Sequence, residues 1–310
     1  MTVPDLEPDQ LAVVEQFRTC EFATLSRSGV PIAWPLVPLR RPDGTFVLTT
    51  SIGLPQKAFN VRRDPRVALL FSDQTGSGLE DAPEVLVQGT ATCPDKVAAG
   101  PEGVEELWRR LYQRQPASKA YSANALSRRF MDFYYMRLHI IVTPTAVSSR
   151  PALRPTSSAA AGPLAGYPSA VLGVRDEDGM PRLLRVGVTA PGDSGPLTLQ
   201  VPDGAEVRPG PASLLAHSHD EKLWNLKSVV LIGELTEAGG TWAFTPNRVI
   251  GGSYDNPIVL LRSLVAMRRT ASRYLAKRNL PRPRVAWDEF AVLVSGTGQG
   301  SQPTRPDKAA

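Results

Sequence analysis

Short apolar runs broken by turn residues dominate the first half of the chain. Phe22–Ser26, Ile32–Leu39, Phe46–Thr50, Val67–Phe71 and Val85–Thr92 are β-branched or aliphatic stretches of strand length. Gly29 and the pair Asp43-Gly44 mark tight turns between the first three. The pattern predicts an antiparallel meander able to close into a small barrel. Helical spacing shows in four other places. Leu11, Val14 and Phe17 share one face of Asp5–Arg18, and Val104, Leu107, Trp108 and Leu111 share one face before Gln115. Tyr121–Asp132 continues helically, and Leu260, Leu264, Met267 and Ala271 define the buried side of a last helix over Asn256–Asn279. Phe133–Val142 reads as a long strand that finishes the first barrel. His139 lies inside it with no second metal-type ligand nearby in sequence, the pattern of a structural histidine.

Ser148–Gly166 is rich in Ser, Ala and Pro and has no periodicity, so it reads as a linker. Beyond it the pattern returns. Ala23 and Leu25 before Gly29-Val30-Pro31 are matched by Ala170 and Leu172 before Gly179-Met180-Pro181. Ala68-Leu69-Leu70 is matched by Ser213-Leu214-Leu215, and Gly89 and Thr92 by Gly233 and Thr236. Three blocks in one order predict a duplicated barrel. The expected organisation is a first barrel domain over 1–147, a linker over 148–167, a second barrel-like domain with a terminal helix over 168–295, and a disordered tail over 296–310. The copies differ at one point. Between Thr50 and Val67 there is room for a loop and a helix, whereas Val201–Ala212 holds only a short stretch rich in Pro and Gly.

The stretch Thr45–Asp73 concentrates the candidate chemistry. A strand ending in Thr49, Thr50 and Ser51, followed by a helix that starts near Gln56 and Lys57 and stops at Pro65, offers hydroxyls, free N–H groups and a cation to a phosphate. Thr49, Thr50, Lys57 and the strand Asp64-Pro65-Arg66-Val67-Ala68-Leu69-Leu70 resemble the pyridoxamine-5'-phosphate-oxidase-like, flavin-binding split-barrel family over about the first half of the chain. The resemblance implies a mainly β fold with peripheral helices: two tandem split β-barrels, the second degenerate. It also implies FMN as cofactor, with the isoalloxazine along Trp34, Pro35, Leu36 and Val37. The family often carries a basic residue near Trp34 and another where Gln56 stands. These departures lower the positive charge and bring in a deazaflavin coenzyme as the alternative.

The second copy has lost the phosphate-gripping helix and keeps instead His217–Lys227, HSHDEKLWNLK. Two histidines and an aspartate raise a metal or haem reading, but the further ligands of a stable metal site are missing from the sequence. Family members ordinarily share the site between two barrels of a dimer, which implies that His219, Lys222, Trp224 and Asn225 supply the far wall internally. The expected activity is an oxidoreductase acting on a small organic substrate through the flavin or deazaflavin. The alternative is a non-catalytic protein that stores or senses flavin or haem. No catalytic residue is assigned.

Composition narrows the remaining classes. The chain has 310 residues and 33.5 kDa, room for about two domains. Its net charge of +5 is spread along the sequence without a nucleic-acid motif, so nucleic acid is not an expected partner. Cys20 and Cys93 have no zinc spacing, and the reading is of reduced, partly buried thiols. No apolar run approaches a membrane span and the N-terminus is acidic, so a cytoplasmic location without membrane partners is expected. A homodimer is left open.

Overall fold

A computed structural model describes residues 3–115, 117–153, 162–189, 195–223, 226–251 and 257–296. Seven strands build the first sheet: β1 (Cys20–Leu25), β2 (Pro31–Leu36), β3 (Leu39–Arg40), β4 (Phe46–Ser51), β5 (Arg66–Phe71), β6 (Glu84–Thr92) and β7 (Arg137–Arg150). They lie in the order β2-β1-β5-β6-β7-β4-β3. The second sheet contains β8 (Ala170–Arg175), β9 (Pro181–Thr189), β10 (Leu197–Gln200), β11 (Gly210–Ser218), β12 (Lys227–Ala238) and β13 (Thr241–Gly251). It closes on itself in the order β10-β13-β12-β11-β8-β9. The protein is mainly β, with two barrels in tandem. No helix among the described residues is long and apolar enough to cross a membrane.

The two sheets repeat residue by residue. In each, a turn closes with the same pair of bonds: the Ser26 N–H donates to the Val30 carbonyl and that of Gly29 to Ser26, as Asp176 donates to Met180 and Gly179 to Asp176. Ala23 pairs with Ala68, and Gly173 with Ser213. The register of the second and third blocks is therefore the predicted one, while the first is corrected: Ala23 and Leu25 correspond to Gly173 and Arg175, not to Ala170 and Leu172. Both copies carry a bulge at the same glycine, after Gln88 and after Ile232. A Cβ on Gly89 would come 2.3 Å from the Thr143 carbonyl oxygen, and one on Gly233 would come 2.1 Å from that of Thr245. Only glycine permits the strand to approach so closely.

The copies part at closure. In the second barrel Gln200 on β10 pairs with Gly187 on β9. In the first, the chain beyond β2 turns away and Leu39 and Arg40 pair instead with β4, so β2 and β4 are not hydrogen-bonded to each other. That gap is the split.

Equivalent faces of the copies meet. Ala33, Leu70 and Leu86 share one buried cluster with their counterparts Leu183, Leu215 and Val230, and the strands meet crosswise, β2 on β11 as β5 on β9, an isologous pattern built within one chain. The interior of the first barrel holds Phe22, Phe46, Leu48, Leu138 and Ile140.

Helices cover the first barrel. They are α1 (Pro8–Gln16), α2 (Gln56–Arg63), α3 (Glu105–Arg114), α4 (Ala117–Ala120), α5 (Ala125–Tyr135), α6 (Pro257–Ala276) and α7 (Trp287–Gly296). The strand expected from Phe133 starts later, because α5 runs on through Tyr135, whose ring stacks 5.3 Å from Trp108. Aromatic residues carry no period of their own, and here packing onto α3 decides for helix. At its far end β7 reaches Arg150, so the first residues of the expected linker are strand, Ser148 pairing with Leu86. Residues 154–161 of that linker, Asn256, and the tail beyond 296 lie outside the described residues. Although late in sequence, α6 packs Ala271, Tyr274 and Leu275 into the core of the first barrel, and α7 packs Phe290 and Leu293 onto Trp108. Leu260, expected on the buried side of α6, is 43% exposed.

Candidate functional site

The helix α2 follows from its sequence. Pro55 precedes its first turn, Asp64-Pro65 ends it, and Lys57, Ala58, Asn60 and Val61 form its buried face. Asn60 fixes that face by donating to Thr24 Oγ1 at 2.9 Å. Lys57 is thereby carried inward: it is 7% exposed, and its Nζ lies 4.8 Å from the centre of the Trp34 ring. Burial, with the charge of Arg137 added to it, pulls the Lys57 ammonium down to about 8.

Arg137 opens β7 opposite Ser51 and is also buried. Its guanidinium stacks over Tyr134 at 4.1 Å and Trp108 at 5.1 Å, and its Nε is buried without a hydrogen-bond partner. Among the described residues neither Lys57 nor Arg137 has a carboxylate within ion-pair distance. Two buried cations without a counter-charge are costly unless an anion joins them.

The split between β2 and β4 opens into a cavity of about 150 Å³. Pro35, Leu36 and Val37 line one side, Thr49 and Arg137 the other, and Leu223 and Leu226 of the second barrel's β11–β12 connection cover it. Leu223 has a φ of 54°, a left-handed conformation rare for a leucine. The residues expected at the site therefore divide. Trp34 and Lys57 meet each other, and Pro35, Leu36, Val37 and Thr49 meet at the cavity. Thr50 donates its hydroxyl to the Leu54 carbonyl, and Ser51 donates its own to Phe133, so neither hydroxyl is free for a ligand. Gln56 is exposed on the opposite face of α2 and donates to Asn60. Lys222 is exposed, with its backbone N–H bonded to Asp220. Trp224 and Asn225 lie outside the described residues. Arg137 was not anticipated. Its signal was one arginine between an aromatic helix end and a β-branched strand.

His217 and His219 belong to a polar network between the barrels. Glu21, fully buried, lies 2.7 Å from His217 Nε2 and accepts from Arg185 at 3.0 Å and from Ser72 at 2.9 Å. Arg185 also donates to Ser169. His219 Nε2 stands 3.4 Å from both Asp73 and Thr19, and Thr19 lines the cavity in the split. Burial works to raise the Asp73 carboxyl, but Arg185, the Thr75 N–H and the two histidines outweigh it and hold Asp73 below the usual carboxylate range. Among the described residues no group of three or more His, Cys, Asp or Glu side chains is arranged to hold a metal ion.

Among the described residues the second barrel offers no equivalent socket. Leu184 occupies the position of Trp34. In place of α2 stands the coil 202–206, and this region borders a cavity of about 230 Å³. Its arginines are compensated, Arg182 by Glu206 at 2.7 Å and Arg150 by Glu84 at 2.6 Å.

A phosphate group fits the donor set at the first barrel, because Arg137 Nε lacks a partner and Lys57 lacks a counter-ion. The three-ring system of a flavin does not fit the cavity at its present size. Ligand pockets begin near about 300 Å³, and the ring would enter only with Leu223 and Leu226 displaced.

No protein-family model and no curated protein matches the chain. Solved structures do. A protein of unknown function from Agrobacterium tumefaciens is 24% identical over 49% of this chain, with a TM-score of 0.33, and the match spans only 59% of that protein's length. The conserved hypothetical protein Rv2991 from Mycobacterium tuberculosis is 21% identical over 51% of this chain and 97% of its own, with a TM-score of 0.35. An F420 reductase is 19% identical over 47% and 98%, with a TM-score of 0.31. At these identities the likeness is one of fold alone.

Proposed function

We propose that the first barrel binds one phosphorylated flavin-type cofactor, FMN or a deazaflavin coenzyme, by displacing Leu223 and Leu226 from the cavity, and serves an oxidoreductase acting on a small organic substrate. The observation that carries this reading is the pair Lys57, over the Trp34 ring, and Arg137, at the split, both buried and neither with a carboxylate in ion-pair distance among the described residues. A phosphate ester supplies the missing charge, and a charge-assisted hydrogen bond to it is worth about 1.5 to 3 kcal/mol. Trp34, Pro35, Leu36 and Val37 supply apolar surface beside it. The cofactor would bring the redox chemistry, while the protein binds it and keeps water away.

The reading is tested by titrating the purified chain with FMN and with a deazaflavin coenzyme while following absorption and fluorescence. Saturable binding of one of them that weakens about tenfold to a hundredfold in Lys57→Ala, with the far-ultraviolet circular dichroism unchanged, supports it. Equal affinity of wild type and variant removes Lys57 from the site.

A further inference from the structure

The opposite face of α2 carries a second, separate concentration of positive charge. Arg27, Gln56, Phe59, Arg62, Arg63 and Arg278 line an open groove of about 750 Å³, and among the described residues no acidic side chain lines it. A merely solvated basic surface would leave these arginines extended in water. Instead their forks are fixed from behind. Arg62 is engaged at all three nitrogens, Nε by the Cys93 carbonyl at 2.7 Å, one terminal nitrogen by Asp95 at 2.9 Å and Tyr274 at 3.2 Å, and the other by the Pro94 carbonyl at 2.8 Å, so it lends the groove its charge and not a free fork. Arg63 donates to the Leu25 carbonyl. Arg278 lies 3.8 Å over the Tyr274 ring, is bonded to Asp95 at 2.8 Å, and is 22% exposed. Arg27, on the β1–β2 turn, is exposed and has no side-chain partner among the described residues.

One carboxylate, that of Asp95, serves both Arg62 and Arg278. The four guanidiniums of the groove therefore hold a surplus of positive charge. The guanidiniums of Arg27, Arg63 and Arg278 keep terminal N–H donors without a partner among the described residues, and donors held in place in advance, as those of Arg63 and Arg278 are, lose little freedom on binding. Two linked phosphates carry more negative charge and more acceptor oxygens than one carboxylate or one phosphate, and so answer more of this surplus.

We infer that this groove is a diphosphate-binding site, distinct from the split and formed where α2, the β1–β2 turn and the end of α6 converge. The diphosphate is either free or part of a nucleoside diphosphate. The inference does not rest on the cofactor reading, because Gln56, Phe59, Arg62 and Arg63 point away from Lys57.

The test is calorimetric titration of the full chain with pyrophosphate and with ADP at fixed ionic strength, repeated on Arg27→Glu, Arg27→Lys and Lys57→Met. Saturable binding of one equivalent that weakens at least tenfold in Arg27→Glu, is largely kept in Arg27→Lys, and is unchanged in Lys57→Met supports the site. Similar affinities for the two probes assign it to the diphosphate alone. ADP binding at least tenfold tighter assigns it to a nucleotide. The inference is overturned by absence of saturable binding, by equal binding in Arg27→Glu, or by loss of binding in Lys57→Met, which would move the diphosphate to the split. Retained flavin binding in a chain that fails to bind pyrophosphate would overturn this inference and leave the cofactor reading intact.

Discussion

Replacing Lys57 with methionine separates the cost of the site from its use. Methionine matches the length and apolar stem of lysine but carries no charge. The Lys57 ammonium falls from its ordinary 10.5 to about 8. At about 1.4 kcal/mol per tenfold, the folded state disfavours the charged form by about 3 kcal/mol at neutral pH. Loss of the contact with the Trp34 ring offsets about 1 to 2 kcal/mol of this. Lys57→Met is therefore expected to stabilise the ligand-free protein by about 1 to 2 kcal/mol at pH 7. The pH dependence has a definite sign. Between about 8 and 10.5 the unfolded chain keeps a proton that the folded state has released, so wild-type stability rises with pH through that window. By pH 9.5 the advantage of the variant should shrink by about 2 kcal/mol. Urea unfolding followed by circular dichroism at both pH values measures this directly. A variant that is less stable than wild type at pH 7, with a difference that does not change with pH, would mean that Lys57 already has its counter-charge and that the split is not an anion socket.

Other consequences follow from the same geometry. Gly233→Ala and Gly89→Ala each drive a Cβ into a carbonyl oxygen and should cost about 1 to 3 kcal/mol or more in chemical denaturation, with no loss from either excluding the shared bulge. Glu21→Gln removes the charge that answers Arg185 between the barrels and should destabilise by about 3 to 5 kcal/mol; a change below about 1 kcal/mol would show that the network is not closed as described. Arg137→Leu should weaken binding of a phosphorylated flavin about tenfold or more while sparing a flavin without phosphate, and equal effects on both would move Arg137 from the phosphate to the ring.

Much of the fold was legible because barrels write themselves in short alternating strands and in glycines that no other residue can replace. Gly89 and Gly233 aligned the copies correctly, since a bulge ties each to a fixed place in the ladder. The first repeat block slipped because Ala and Leu recur too often in both strands to fix a register, whereas the turn bonds of Gly29 and Gly179 do fix it. The end of α5 was misread because Phe133, Tyr134 and Tyr135 are apolar in succession and suit either period until α3 packs on them. The packing of α6 and α7 onto the first barrel, far away in sequence, is a tertiary fact with no local signal. At the site, Lys57 and Thr49 stood out by their place after a strand. Arg137 did not, because only the pairing of β4 with β7 brings it to the split. The hydroxyls of Thr50 and Ser51 suit a phosphate by type, and nearby carbonyls engage them first.

On the proposed function, the duplicated chain keeps one working site, at the barrel that stays open between β2 and β4. Equilibrium dialysis of the purified chain against FMN, riboflavin and a deazaflavin coenzyme measures it. At most one phosphorylated cofactor is expected per chain, bound at least about tenfold more tightly than its phosphate-free counterpart, with that preference abolished in Lys57→Met. Two equivalents per chain, or equal affinity for FMN and riboflavin in the wild type, would contradict it.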